Sequence, residues 1–130
     1  MIALEKEYIP YLAPIFDRKP KSVTALMVGK LTSYTDMVVI VEAGSSRQVT
    51  SLSEHIIKSL KGTKRKATGV EGVKEGQWAL LDFGHLIIHV FESDAKAFYD
   101  LEGLWSDAEQ VDLSEFNTQT PTDMEDDDGF

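Results

Sequence analysis

Apolar side chains at helical spacing predict an amphipathic helix in the middle of the chain. The apolar stripe consists of Val49, Leu52, Ile56 and Leu60, and Ile57 widens it. This spacing places the five side chains on one side of a helix, where they can pack on a core. The polar residues of the segment lie mostly off the stripe. We therefore expect a helix with one buried face.

The residues that flank this stripe predict where the helix begins and ends. Ser45-Ser46-Arg47-Gln48 has the S-x-x-Q pattern of a capping box. In that motif the serine oxygen accepts from the third amide of the helix, and the glutamine reaches back to the cap. Gly44 allows the chain to turn before the helix, and Gly62 is placed to end it.

Apolar runs of strand length predict the sheet. Residues 37–41 form a continuous apolar run, which is typical of a strand that is covered on both faces. Further strands are predicted at residues 23–28, 68–71, 78–82 and 86–91. The segment Phe83-Gly84-His85 is short enough to join the last two strands as a hairpin.

Helices are also expected near both ends of this region. Apolar residues between positions 2 and 17 have helical spacing, but Pro10 and Pro14 predict a break or a late start, because an interior proline costs ~3 kcal/mol. A last helix is expected over residues 94–99, with Ser93 as its N-cap. The predicted order is α-β-β-α-β-β-β-α. It implies an α/β fold with a mixed five-stranded sheet and flanking helices.

Charge divides the chain into two unequal parts. The formal charge is −9 over 130 residues, a length typical of one domain. Six acids follow Leu113 without any Lys or Arg, and they are Glu115, Asp123, Glu125, Asp126, Asp127 and Asp128. Such a composition cannot bury enough apolar surface to fold. We expect one α/β domain over residues 1–113 and a flexible acidic tail over residues 114–130.

The composition also narrows the classes of function. The chain has no cysteine, so disulfides, thiolate metal sites and cysteine nucleophiles are excluded. No apolar run approaches the ~20 residues of a membrane helix, and the N-terminus lacks the basic start of a signal peptide. These features favour a cytoplasmic protein without a membrane partner.

One basic cluster stands against the negative charge of the chain. It consists of Lys58, Lys61, Lys64, Arg65 and Lys66. The cluster fits a solvated helix end whose cations complement the helix dipole, or an auxiliary contact with RNA. Because the chain as a whole has no basic face, we expect little or no direct nucleic-acid binding.

The turn at Gly44-Ser45-Ser46 raises the question of phosphate chemistry. It lies between a predicted strand and a helix, where nucleotidyltransferases hold a triphosphate on backbone amides. Such enzymes also need carboxylates that converge on Mg²⁺. The chain offers only isolated acids, Glu54, Glu71 and Asp82. We therefore expect at most a vestigial phosphate turn, without a metal, a cofactor or transfer chemistry.

Two further patterns resemble catalytic motifs. Asp82-Phe83-Gly84 spells the magnesium motif of kinases, but no Gly-rich loop or H-R-D segment accompanies it, so we predict a hairpin turn. His85 and His89 lie four residues apart on a predicted strand, which separates them by ~13 Å. Zinc ligands lie ~2.1 Å from a shared ion, so this pair cannot chelate a metal. His89 is either a hydrogen-bonded, partly buried residue or part of an interface.

Strand alternation indicates a second apolar surface on the sheet. It places Ile87, His89 and Phe91 on one face of their strand, and Trp78, Leu80 and Asp82 share a face of the preceding strand. A surface that combines aromatic and apolar groups with an acid is typical of a partner-binding site. The alternative is that helices cover both faces of the sheet.

Five blocks in chain order resemble the ribosomal silencing factor (Iojap) family. The blocks are Leu31-Thr32-Ser33-Tyr34-Thr35-Asp36, Gly44-Ser45-Ser46-Arg47-Gln48-Val49, Val70-Glu71-Gly72 with Gly76-Gln77-Trp78-Ala79-Leu80-Leu81-Asp82-Phe83-Gly84, His89-Val90-Phe91, and Tyr99-Asp100-Leu101-Glu102-Gly103-Leu104-Trp105. One block alone would be weak, but the five are collinear over about residues 21–113. The prolines near the N-terminus and the acidic tail depart from the family pattern.

The resemblance implies a fold related to nucleotidyltransferases without their activity. It also implies binding to the fourteenth protein of the large ribosomal subunit, which blocks subunit joining and represses translation during nutrient limitation, and a homodimer in the free protein. The alternative function is a nucleotide-binding nucleotidyltransferase-like enzyme or sensor. We expect the contact or its immediate support to consist of Trp78, Leu81, Asp82, His89, Phe91, Tyr99, Asp100, Leu101, Glu102 and Trp105.

Overall fold

The computed structural model describes residues 1–117, which form one mixed sheet with helices on both faces. The strands are β1 (Ser22–Met27), β2 (Met37–Ala43), β3 (Gly69–Glu71), β4 (Trp78–Asp82), β5 (Leu86–Glu92) and β6 (Glu109–Gln110). The helices are α1 (Ile9–Phe16), which follows a 3-10 turn (Lys6–Tyr8), α2 (Ser46–Leu60), α3 (Ser93–Tyr99), α4 (Leu101–Leu104) and α5 (Ser114–Asn117). The expected mixed α/β fold is therefore confirmed.

The strand order is β3-β4-β5-β2-β1-β6. Only β2 and β5 run parallel; the other neighbours are antiparallel, and β4 and β5 form the predicted hairpin. The expectation of five strands is wrong, because β6 adds a sixth by pairing with Leu26 and Met27 of β1. Glu109 and Gln110 are polar and exposed, so no apolar pattern marks this strand in the sequence.

The main core lies between the sheet and helices α1 and α2. The stripe predicted for α2 is confirmed, since Val49, Leu52, Ile56 and Leu60 are all buried in this core. Strand β2 is buried along almost its whole length, as expected for a strand covered on both faces. We call the side of the sheet that packs on α1 and α2 the core face, and the other side the outer face.

The predicted capping box of α2 is present, with one difference in its geometry. The Ser45 hydroxyl oxygen accepts from the Gln48 amide at 3.1 Å, as the pattern predicts. The Gln48 side chain reaches back one residue further than expected and accepts from the amide of Gly44 at 2.7 Å. Helix α2 ends at Leu60, and Gly62 follows with a positive φ of 82°.

The late start predicted for α1 is confirmed. The helix begins at Ile9, so Pro10 lies in the first turn, where its missing amide is not needed. Pro14 lies inside the helix. The end of α1 is tied to α2, since Asp17 lies 3.0 Å from the ring of His55.

The C-terminal part differs from the sequence-based expectation in three places. The N-cap of α3 is Glu92, which accepts from the Ala95 amide at 3.4 Å, and not Ser93. Helix α4 was not predicted as a separate element. Ser114–Asn117, expected in the flexible tail, forms α5, and Phe116 stacks on Phe16 with ring centroids 4.5 Å apart. The remainder of the expected tail, residues 118–130, lies outside the described residues.

Candidate functional site

The outer face of the sheet is covered over only part of its width. Over β1 and β2, apolar residues of the sheet form a second cluster that packs against Leu101 and Trp105 of the α3–α4 segment. Over β4, the side chains that point outward remain partly exposed. We call the surface formed by Trp78, Leu80, Asp82, His89 and Tyr99 the open face. It is the candidate site for a partner.

Strand register aligns the side chains of the open face. Trp78 pairs with Phe91, Leu80 with His89, and Asp82 with Ile87, so all six point outward from neighbouring strands. Ile87 and Phe91 are buried, whereas the three β4 side chains are partly exposed. The face therefore consists of a buried floor on β5 and an accessible row on β4.

Aromatic rings cluster around Trp78 at one end of this row. The Trp78 ring lies 5.0 Å from Phe91 and 4.6 Å from Tyr99, measured between centroids. Tyr99 is 49% exposed, and the neighbouring Phe98 is 80% exposed. Exposed rings beside a packed aromatic cluster are the composition found at the centres of protein interfaces.

The orientation of Trp78 is fixed by His89. The indole Nε1–H donates to Nδ1 of His89 at 3.0 Å. Burial lowers the pKa of His89 to about 4, so the ring is neutral at neutral pH and Nδ1 can accept this hydrogen bond. His89 is therefore buried and hydrogen-bonded, as the first alternative predicts, and its role in an interface stays a prediction.

Two glycines fix the backbone that leads into Trp78. Gly72 has φ +78°, and a Cβ at this position would overlap the carbonyl oxygen of Trp78. Gly76 has φ +76°, and a Cβ there would lie 2.8 Å from Ser46 on α2. Both positions require glycine because the backbone is left-handed and crowded. The glycines of the third sequence block therefore act by placing Trp78 at the start of β4.

The corner between α3 and α4 carries the predicted acidic residues. Asp100 adopts a left-handed conformation with φ 48° and caps α4 by accepting from the Gly103 amide at 3.2 Å. Glu102 accepts from the Thr24 hydroxyl at 2.9 Å and pairs with Lys96 at 2.8 Å. The hydrogen bond from Lys96 holds the pKa of Glu102 below its usual value. Both acids thus stabilise the corner as well as carrying charge.

Nine of the ten residues predicted for the site lie on the outer face or on the α3–α4 segment that covers part of it. Leu81 lies on the core face and is fully buried, so it does not line the open face. Phe91 is also fully buried, beneath Trp78. The prediction omitted Leu80, although strand alternation places it beside Trp78, and it omitted the exposed Phe98 and Leu104.

Two amides at the turn around Gly44 are used by the cap of α2. The Gly44 and Gln48 amides are already bonded within the capping box. Beside it lies a shallow groove of about 410 Å³, lined by Arg47, Glu54 and Lys74 among others. Within residues 1–117, no group of three His, Asp or Glu side chains is arranged to hold a metal.

The remaining histidines lie away from the open face. His85 precedes β5 and contacts Tyr8 and Tyr11 at centroid distances of 5.9 and 5.2 Å, next to α1. His55 lies on α2 between Asp17 and Arg18, at 3.0 and 3.2 Å. No helix in the described part of the chain is long and apolar enough to cross a membrane.

A family model and individual relatives both match this chain over most of its length. Residues 6–129 match the family model described as ribosomal silencing factor during starvation. The ribosomal silencing factor RsfS of Halalkalibacterium halodurans is 32% identical over 97 residues, which cover 75% of this chain and 83% of that protein. The chloroplastic protein Iojap of Zea mays is 31% identical over 102 residues, which cover 78% of this chain and 43% of that protein.

Two solved structures are similar to most of this chain. A crystal structure of a protein from Chromobacterium violaceum superimposes with a TM-score of 0.73 at 30% identity, covering 79% of this chain and 88% of that one. A crystal structure from Bacillus halodurans gives a TM-score of 0.73 at 27% identity, covering 84% of this chain and 100% of that one.

Proposed function

Because this chain belongs to the ribosomal silencing factor family, we propose that it binds the large ribosomal subunit through the fourteenth protein of that subunit. The bound protein occupies a surface that the small subunit needs, so it blocks subunit joining and represses translation when nutrients are limiting. It acts sterically and in the cytoplasm. None of its residues has a catalytic role in this proposal.

The aromatic cluster of the open face supports this proposal most directly. Trp78 and Tyr99 are held 4.6 Å apart by the sheet and by α3, and Tyr99 remains 49% exposed. Tryptophan and tyrosine contribute most of the binding energy in many protein interfaces, because large rings bury much area at low entropic cost. The hydrogen bond from Trp78 to His89 holds the indole in place before a partner arrives, which reduces the cost of binding.

Co-sedimentation with separated ribosomal subunits tests the proposal. We expect the protein to migrate with the large subunit alone, and Tyr99→Ala to weaken this binding by at least about tenfold, the effect of losing ~1.4 kcal/mol at an interface. Tyr34→Ala is the matched control, because Tyr34 is also an exposed aromatic, at 65%, but lies in the loop before β2, beyond the other end of the strands. Absence of wild-type co-migration would contradict the proposal, and equal effects of both variants would contradict the assignment of the open face.

The acidic corner is expected to attract a basic ribosomal protein. Charge reversal at Asp100 or Glu102 would also break the cap of α4 and the contact with Thr24. Asp100→Asn and Glu102→Gln remove the charges but keep an oxygen that accepts these hydrogen bonds. We expect the double variant to lose at most ~1 kcal/mol of stability with the Lys96–Glu102 ion pair, and to bind the large subunit more slowly, with a smaller dependence on salt. Unchanged association rates would contradict a role of these charges.

A second candidate function follows from the groove beside α2. Its Arg47 and Lys74 side chains, near the first turn of a helix, could accommodate a nucleotide phosphate. Thermal unfolding with each nucleoside triphosphate and Mg²⁺ tests this, since a ligand at 100 times its Kd stabilises the fold by ~2.7 kcal/mol. No shift of the Tm would contradict the nucleotide-binding function. The homodimer that the family resemblance implies is tested separately by sedimentation equilibrium of the free protein.

A further inference from the structure

Five cations are concentrated at the end of α2 and in the loop that follows it. They are Lys58, Lys61, Lys64, Arg65 and Lys66, and all five side chains are exposed. No acid occurs between Lys58 and Lys66, although the chain as a whole carries a formal charge of −9. Within residues 1–117, none of the five forms an ion pair with a carboxylate. We call this segment, residues 58–66, the basic loop.

The helix dipole explains only part of this charge. Lys58 lies in the last turn of α2 and Lys61 is its C-cap, so both can complement the partial negative charge of the helix end. This effect falls off within the last turn. Lys64, Arg65 and Lys66 lie beyond it, and none of the three forms an ion pair within residues 1–117.

The loop is held in a defined shape by threonine side chains. The Thr63 hydroxyl donates to the Leu60 carbonyl at 2.6 Å and accepts from the Arg65 amide at 3.0 Å. At the far end, the Thr68 amide and hydroxyl donate to the carbonyl of Asp82 at 2.8 and 3.0 Å. Lys64, Arg65 and Lys66 therefore lie on a loop that hydrogen bonds fix at both ends. Its second anchor, Asp82, belongs to the open face.

The composition of the loop favours phosphate over a protein surface as its ligand. Apart from Leu60, which is buried in the core, residues 58–66 include no aromatic and no large apolar side chain. Protein interfaces need such anchors at their centres and are depleted in lysine. Lysine and arginine on a polar segment match the phosphates of a nucleic-acid backbone, which are contacted without reading the bases.

We propose that the basic loop binds the phosphate backbone of RNA, and that on the large subunit it contacts ribosomal RNA beside the protein that the open face holds. The ribosomal setting rests on the proposed function, whereas the phosphate contact itself does not. This revises the expectation of little or no nucleic-acid binding: the overall charge is negative, but the positive charge is local and forms no ion pair within residues 1–117. The contact is independent of RNA sequence and sensitive to salt.

The test uses two charge-matched triple variants of the full chain. The loop variant is Lys64→Gln, Arg65→Gln, Lys66→Gln, and the control is Lys6→Gln, Arg18→Gln, Lys30→Gln, which removes two lysines and one arginine at exposed positions elsewhere. Binding to large subunits is measured over a range of KCl concentrations. Each neutralised phosphate contributes a slope of ~0.7–0.9 in log affinity against log salt, so the loop variant should lose ~2–3 from this slope. Between 50 and 200 mM KCl, the affinity of wild type should fall by ~20–40-fold more than that of the loop variant, and the control variant should match wild type.

Two further probes separate the outcomes. With a short RNA duplex at low salt, fluorescence anisotropy should show binding by wild type and control and a loss for the loop variant; this result does not depend on the ribosomal function. With the RNA-free ribosomal protein, the loop variant should bind as tightly as wild type. Equal slopes for both variants on the subunit would overturn the proposal. Loss of binding to the isolated ribosomal protein would overturn it in favour of an acidic protein surface. If RNA binding is lost in the loop variant but wild type does not bind subunits, the proposed function fails and the phosphate site stands.

Discussion

Replacing His89 by asparagine should remove a specific pH dependence of the fold. His89 is 9% exposed, and burial lowers its pKa to about 4 from the 6.5 of an exposed histidine. His89 therefore binds a proton below about pH 6.5 in the unfolded chain, but only below about pH 4 in the folded protein. The contribution of the neutral ring to stability is complete above the unfolded pKa. It is lost progressively as the pH falls from the unfolded to the folded pKa.

The expected magnitude follows from linkage. Between about pH 7.5 and about pH 5, a histidine with these two pKa values reduces the free energy of unfolding by ~2 kcal/mol. The asparagine side chain does not titrate, and its Oδ1 can take the place of Nδ1 as the acceptor for the Trp78 indole, which now donates at 3.0 Å. His89→Asn should therefore keep the hydrogen bond and lose this share of the acid sensitivity.

Urea unfolding of wild type and His89→Asn across this pH range measures the effect. The carboxylates contribute the same pH dependence to both proteins, so the difference between their free energies of unfolding isolates His89. We expect that difference to change by ~2 kcal/mol in favour of the variant as the pH falls to about 5. Parallel profiles would refute the reasoning, because they would mean that His89 titrates alike in the folded and unfolded chains. NMR titration of the imidazole provides an independent reading of the folded pKa.

Three further predictions concern particular positions. Gly72→Ala should cost at least ~2 kcal/mol of stability and lower partner binding, because its Cβ would overlap the backbone of β4. Gly84→Ala, with φ +89° but open space around it, should cost only ~1 kcal/mol, and urea unfolding compares the two variants. Ser53→Ala should raise the Tm by removing a buried hydroxyl without a hydrogen-bond partner among residues 1–117, a gain of ~1 kcal/mol; a lower Tm would contradict this. Leu81→Ala should cost ~2–5 kcal/mol of stability, whereas Leu80→Ala should cost less stability and weaken binding to the large subunit. A larger loss of stability for Leu80→Ala than for Leu81→Ala would contradict the assignment of the two faces.

Local patterns in the sequence were sufficient for most of the framework. The capped, amphipathic helix α2 and the buried strand β2 could be predicted because cap residues and side-chain periodicity act within a few neighbouring residues. The β4–β5 hairpin followed from two apolar runs with a short link that contains Gly84. The same alternation indicated which side chains share a face with Trp78.

Tertiary structure alone decided how these elements combine. Strand β6 exists because β1 offers an edge to two polar residues, and Glu92 caps α3 because the Ser93 hydroxyl is engaged with the carbonyl of Ala43. Alternation could not say which side of β4 is covered, since apolar residues occur on both sides and the choice depends on where α1 and α2 pack. The bond between Trp78 and His89 depends on strand register and on burial. Both are properties of residues distant in sequence, and no local pattern encodes them.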